Sequence, residues 1–426
     1  MNTYRAIIER VNYTLFLVVV ALLPFPQLLL RYACVLWIIT WFLEGRWLNK
    51  PTIKFPISNF KFSIPFLLFG AWYVWKAVSG LWSADLDAWR WQLERYLTFA
   101  LIVPVSIWGV NEHYKVRQIG KVLVFSCVAA VPLYLGWMTW LYHHPEWVSY
   151  IPLEEEWKSQ PTWWSYLSEN ISHFKHRLFL CSVELAGVVS AFYLYCKQLK
   201  ILIPTVAIML SAIPLTGSRQ SIITAIVLLS LLILFAIPKA SHRWLYGMGV
   251  AAIGVLLGIG LLKYHPRMQE FELRDITEMR QMSYDHDIRF NIWGAALQHP
   301  EDYFAYGLGA GQSKHYMAER YADAKFDYYA LKQYHSHNQY LEELMEIGIG
   351  GLLLFLIAWL SIPLCAQKKG RQTAILFTTL FVLNMFTDCM FGRFCGIALW
   401  AVGLIVIFLQ SNAKCDEQTA GNTETH

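Results

Sequence analysis

Three polar runs set among long apolar ones hold the residues that could do chemistry. The run HSHNQYLEELMEIGIGG, residues 335–351, puts His335, His337 and Asn338 where a polar loop enters an apolar helix. An imidazole at such a mouth titrates near neutral pH and can serve as a general base. The same spacing equally fits a plain helix start, with Ser336 or Asn338 as the cap and Glu342, Glu343 and Glu346 near a positive helix N-terminus. Spacing alone leaves both readings open. The run TGSRQS, residues 216–221, is a very short turn between two apolar spans. Arg219 there either faces a bundle interior or an anionic ligand, or snorkels to the interface. Arg31, at the start of the second apolar span, and Lys76, inside the third, raise the same question. The run IRFNIWGAALQHPEDYFAYGLGAGQ, residues 288–312, sets Arg289 ahead of an apolar helix face, then Pro300 and Gly307, Gly309 and Gly311. These glycines follow no βαβ pattern, so a nucleotide-binding loop is not indicated and a tight turn suffices. Asp388 and Arg393 flank the last short turn, where they could pair with each other.

Arg219, Arg289, His337 and Arg393 all fall on one side of the expected topology. Cations beside a base suit transfer from a diphosphate-activated donor: guanidinium forks hold the pyrophosphate and the base takes the acceptor proton. No Asp-x-Asp or His/Asp metal cluster stands beside them in the sequence. The expectation is therefore no metal and no cofactor, with arginines in the role a divalent ion has elsewhere.

The elements that must position these groups are membrane helices. The chain has 426 residues, 56% apolar and 15% charged, whereas a soluble domain carries roughly 25% charged residues. An all-α polytopic membrane protein, a single integral membrane domain over 1–426, follows from that composition. The net charge of +5 is scattered between apolar runs, which excludes the basic stripe of a nucleic-acid reader. The eight cysteines form no disulfide framework or zinc spacing. Apolar runs at about 11–24, 27–43, 62–82, 96–110, 121–142, 178–196, 201–215, 221–238, 244–262, 346–364, 373–390 and 394–410 give twelve expected spans. Pro24 and Pro26 break the first run from the second, so it reads as a helix turning into its neighbour rather than a cleaved signal. Lys and Arg recur in alternate short loops, which places both termini in the cytoplasm. Two long segments are then external: 143–177, acidic and aromatic, and 263–345, mixed in charge and expected to fold as short helices on the membrane surface.

Taken together, the three runs resemble the O-antigen ligase/polymerase superfamily, and most closely its ligase branch. The resemblance rests on the Gly-Ser-Arg turn at Arg219 and on the Arg-x-x-x-Trp run from Arg289 to Gly311. Its most specific part is His-x-His-Asn-x-Tyr-Leu-x-x-x-x-Glu-x-Gly from His335 to Gly348. It implies a twelve-helix inner-membrane glycosyltransferase that moves polysaccharide from an undecaprenyl-diphosphate carrier to a lipid A-core acceptor at the periplasmic face. Inversion at the anomeric carbon, without metal, is implied as well. Carried over residue by residue, His337 becomes the general base, and Arg219 and Arg289 hold the diphosphate. His335, Asn338, Arg31 and Arg393 are candidate substrate-binding residues. Within the same chemistry, an O-antigen polymerase or a protein O-oligosaccharyltransferase is the alternative. A lipid or polysaccharide transporter is the alternative from another class, but its ionisable residues should line a midplane cavity rather than gather at one face.

Overall fold

Backbone amides in hydrocarbon must be satisfied within their own segment, so apolar runs of this length can only be helices. The computed structural model describes residues 2–45, 60–108, 110, 113–148, 162–236, 243–264, 288–323, 330 and 334–412. Twelve long helices are found there, one on each expected span: α1 Asn2–Leu22, α2 Gln27–Leu43, α3 Phe60–Val78, α4 Leu86–Trp108, α5 Val116–His143, α6 Arg177–Tyr195, α7 Leu199–Leu210 with its continuation Ala212–Thr216, α8 Arg219–Ala236, α9 Arg243–Tyr264, α10 Gln339–Cys365, α11 Lys368–Met385 and α12 Phe394–Asn412. Among the described residues nine helices are long and apolar enough to cross a membrane, and no strand is present. The three outside that set, α1, α4 and α11, begin with charged stretches such as Arg5–Glu9–Arg10, Asp87–Arg90–Glu94–Arg95 and Lys368–Lys369–Arg371. The fold is that of an all-α polytopic membrane protein.

Helix α12 is the centre of the bundle, with 72% of its span buried, whereas 11% of the span of α9 is buried, which puts α9 at the lipid-facing edge. Aromatic rings fill the core between α3, α4, α10, α11 and α12: Phe99 lies 4.6 Å from Trp400, and Trp359 4.9 Å from Phe381. Hydrocarbon supplies no hydrophobic drive between membrane helices, so this interlocking of rings is what fixes their mutual positions.

Short helices Trp163–Phe174, Ile288–Ala296 and Ser313–Asp323 belong to the two long segments. Residues 149–161, 265–287, 324–329 and 331–333 of those segments, with Glu154, Glu155, Glu156 and Trp157, lie outside the described residues, as do the basic stretches at 46–59, 237–242 and 413–426.

Helix α10 is broken. Gly348 has φ 66° and ψ −174°, which interrupts the helical hydrogen-bond ladder. The glycine-rich turn fills the gap with its own backbone: Leu308 N donates to Met345 O, Gly309 N to Glu346 O, and Ile349 N to Phe304 O. A Cβ on Gly307 would fall onto the Glu346 carbonyl, and one on Gly348 onto that of Ala305. The glycines are thus more than the tight turn that sufficed for the sequence. They allow irregular backbone to enter the broken helix, which membranes tolerate only where protein covers it.

Candidate functional site

Two polar clusters meet α10. The deeper one surrounds Lys76, which is fully buried on α3. Its Nζ lies 2.5 Å from Glu346 Oε2 and 3.1 Å from Glu343 Oε2. Trp72 Nε1 donates to Glu343, and Gln339 Nε2 donates to its other oxygen. Gly311 N and Gln92 Nε2 donate to Glu346 Oε1. Glu342 reaches the other way, accepting from Ser313 Oγ at 2.5 Å and from Ser336 Oγ at 2.6 Å. These carboxylates therefore pin the glycine turn, the helix from Ser313 and the histidine loop to one membrane helix.

The histidine loop lies directly above. Asn338 caps α10, its side-chain oxygen accepting from Tyr340 N and Leu341 N. The capping reading of this run thus holds for Asn338, and the functional reading concerns the histidines. His337 sits at φ 48°, the left-handed region, which costs any residue with a Cβ more than it costs glycine, though Asn, Asp and His occur there more than most. Its ring lies 4.0 Å from that of His335, centroid to centroid, and its backbone N–H donates to His335 Nδ1. Asp388 faces three imidazoles: His176 Nε2 at 3.5 Å, His335 Nε2 at 3.9 Å and His337 Nδ1 at 4.0 Å. Burial lowers the histidines, to about 4 for His176 and His335 and to about 3 for His337, with the neighbouring arginines adding to the effect. For Asp388 burial acts upward, but the histidines and Arg393 outweigh it and hold the carboxyl below its usual range. The arrangement we take from this is neutral imidazoles around an ionised carboxylate. His337 Nε2 and His176 Nδ1 are buried with no hydrogen-bond partner.

The expectation that no His/Asp cluster stands here does not hold. Ligand-capable atoms of His335, His337 and Asp388 lie within 4.8 Å of one another. The cluster was invisible in sequence because Asp388 arrives from the turn after α11, 51 residues beyond His337. A divalent cation could be held there, but Arg289 and Arg393 already place positive charge on the same imidazoles. A surplus of guanidinium groups around the cluster suits an anion better than a further cation.

Arg289 donates from Nε to Thr387 O, beside Asp388. Trp293, one turn on, donates to Ser336 O and so ties this helix to the histidine loop. Arg219 opens α8 after Gly217, whose φ of 59° ends α7, and Ser218 and Ser221 bond to each other across the turn. Gln220 donates to Leu383 O, fastening this turn to the end of α11. Beside His335 lies a cavity of about 650 Å³. His335, Asp388, Arg31, Arg95, Lys314 and Arg393 line its polar end, and Val35, Ile38, Leu101 and Ile397 its apolar wall. His337, Arg219 and Arg289 are outside that lining. The expected site residues thus gather at one end of the bundle, with Arg31, His335 and Arg393 in the cavity lining and His337, Arg219 and Arg289 outside it.

Sequence reasoning missed His176, Arg95 and Lys314. His176 carries the signal that singled out His335, an imidazole in a polar loop directly before an apolar helix. Arg95 sits one residue before an apolar stretch of α4 and reads as an ordinary interfacial cation.

No curated protein matches the chain. A family model described as O-Antigen ligase matches residues 204–356, the stretch that carries Arg219, Arg289, His335 and His337. The glycine turn seated in the broken helix belongs to the same stretch. Ligase and polymerase are not separated by that match. Over residues 204–356 this membrane protein thus matches the O-antigen ligase family, and the match supports the O-antigen ligase superfamily.

Proposed function

We propose that the protein is an O-antigen ligase that transfers polysaccharide from undecaprenyl diphosphate to the lipid A-core oligosaccharide at the periplasmic face of the bacterial inner membrane. His337 carries the reading: a buried neutral imidazole with one nitrogen unpartnered and a left-handed backbone, with Arg289 and Arg393 acting on it and its ring against that of His335, which lines the amphipathic cavity. A sugar hydroxyl is a poor nucleophile at neutral pH, and a positioned base removes its proton as the oxygen attacks the anomeric carbon. The bond from that carbon to the diphosphate breaks on the opposite face, so the anomeric centre inverts. Arg219 and Arg289 take the negative charge that develops on the leaving diphosphate, which then departs without a general acid. Asp388 stabilises the imidazolium that His337 becomes. No step requires a metal.

The test is transfer in vitro with purified protein, lipid-linked polysaccharide, rough lipopolysaccharide and a chelator. Product with an inverted anomeric linkage is expected. Elongation of lipid-linked glycan without lipopolysaccharide would make the protein a polymerase. Loss of transfer in chelator, restored by a divalent cation, would put a metal on His335, His337 and Asp388.

A further inference from the structure

The cations at this end of the bundle outnumber the charges of one substrate. A diphosphate carries about two negative charges, and two arginines match it. Arg31, Arg95 and Lys314 remain, together at the rim of the cavity with one exposed carboxylate, Glu94, among them. They are not scattered surface charges. The Arg95 guanidinium donates to Gly392 O, which fixes it against the turn that follows Asp388. Both Arg95 and Lys314 lie over the ring of Trp91, at 5.2 Å and 5.7 Å from its centroid. That ring is 54% exposed and also lines the cavity, so it holds two cations in place at the water-facing edge. Of the other carboxylates in the lining, Glu342 and Glu346 are filled by Ser313, Ser336, Gly311, Gln92 and Lys76, and Asp388 faces the three histidines under the influence of Arg393, which leaves Glu94 as the one lining carboxylate set against Arg31, Arg95 and Lys314.

Inversion adds a geometric requirement. The attacking hydroxyl and the leaving diphosphate must approach the anomeric carbon from opposite faces, so two anionic glycolipids cannot share one set of cations. The cavity meets the histidine pair from the His335 side, and Arg219, Arg289 and His337 are not part of its lining. Its apolar wall leads towards Val35 and Leu101, which are exposed on the membrane-facing surface of α2 and α4. The opening therefore accepts an amphiphile with acyl chains in the bilayer and an anionic head in the cavity.

We propose that Arg31, Arg95 and Lys314, with Trp91 beneath the last two, form a binding site for phosphate groups on the acceptor glycolipid. The donor diphosphate occupies a different place, at Arg219 and Arg289. This assignment rests on the transfer reading above, and binding measured without turnover separates the two.

The experiment uses the full-length protein in lipid nanodiscs and rough lipopolysaccharide with a phosphorylated core, compared with the same material after enzymatic removal of its core phosphates. Arg95→Ala and Lys314→Ala should each weaken binding of the phosphorylated acceptor by about tenfold, the low end for a lost charge-assisted contact. The dephosphorylated acceptor should bind wild type and variants alike, and Arg95→Lys should retain most of the affinity. In turnover assays the acceptor KM should rise while the donor KM stays unchanged. A rise in donor KM instead would hand the cavity to the donor and overturn the proposal, as would equal losses for both acceptors. Wild-type protein that binds phosphorylated acceptor in this way but transfers nothing would overturn the transfer reading and leave the site standing.

Discussion

The cluster around Lys76 and the cluster around Asp388 are both buried and charged, and both touch the start of α10, yet they differ in how fully their valences are filled. Glu343 and Glu346 receive donors on every oxygen and share one ammonium at 3.1 and 2.5 Å. Around Asp388 one carboxylate oxygen accepts from the Cys389 backbone N–H at 2.8 Å, but the contacts with the imidazoles are longer, between 3.5 and 4.0 Å. There two imidazole nitrogens lack a partner and one backbone sits in the left-handed region. Burial of charge alone therefore does not mark a reactive site in this membrane protein. On the reading proposed above, unfilled hydrogen-bonding capacity combined with a left-handed backbone does, because a saturated network has nothing left to offer a substrate.

The comparison is broken most directly at His337. Replacing it by Ala should lower transfer by about 10² to 10⁴, the range for loss of a positioned base, with thermal stability little changed, since alanine carries a Cβ into the same left-handed backbone and leaves its cost in place. Equal loss of stability would move His337 to the structural side. Lys76→Met should do the reverse. Removing one partner of a buried ion pair leaves uncompensated charge and costs about 3–5 kcal/mol, read as a lower unfolding temperature in detergent. Adding Glu346→Gln to Lys76→Met should recover part of that loss, since the charge then leaves with its partner.

A pH profile sharpens the comparison. An ordinary histidine base fails as pH falls through about 6.5. His337, lowered to about 3 by burial, should stay unprotonated in the free enzyme well below that point. The acid limb of kcat/KM is expected below pH 5. Stability follows the same groups: their pKa is higher unfolded than folded, so their contribution is complete above about 6.5 and declines as pH falls from there towards the folded values. An acid limb near 6.5 would mean that His337 is solvated in the working enzyme.

Most of the scaffold was legible in the sequence, because the need to satisfy backbone groups in hydrocarbon makes apolar runs into helices whatever their neighbours. The candidate runs could be picked out where local spacing carried the signal, as at His335–Asn338, Gly217–Arg219 and the start of the helix at Arg289. What could not be read was set by contacts distant in sequence. Lys76 finds Glu346 across 270 residues, and Gln92 finds it across 254. Asp388 meets His176 across more than 200 residues. The role of Gly307 was hidden for the same reason, since only the break at Gly348 explains why backbone must approach backbone there.

The smallest effect expected concerns Asn338, which lies between the two clusters and could belong to either. Its side-chain oxygen is engaged by two backbone amides of α10, at 3.0 and 3.1 Å, and that alone accounts for an Asn at this position. Asn338→Ala should therefore cost about 1 kcal/mol through the lost cap. Transfer should fall only as far as the histidine loop loosens, because Ser336 still bonds to Glu342. Asn338→Ser separates the two roles: a serine oxygen caps about as well as asparagine and adds no charge beside His337, but it cannot supply the amide N–H groups. If capping is the whole role, the Ser variant regains both the unfolding temperature and the acceptor KM. A Ser variant with normal stability and a KM raised severalfold would instead show that the amide touches the sugar, and would move Asn338 into the unsaturated cluster with His337.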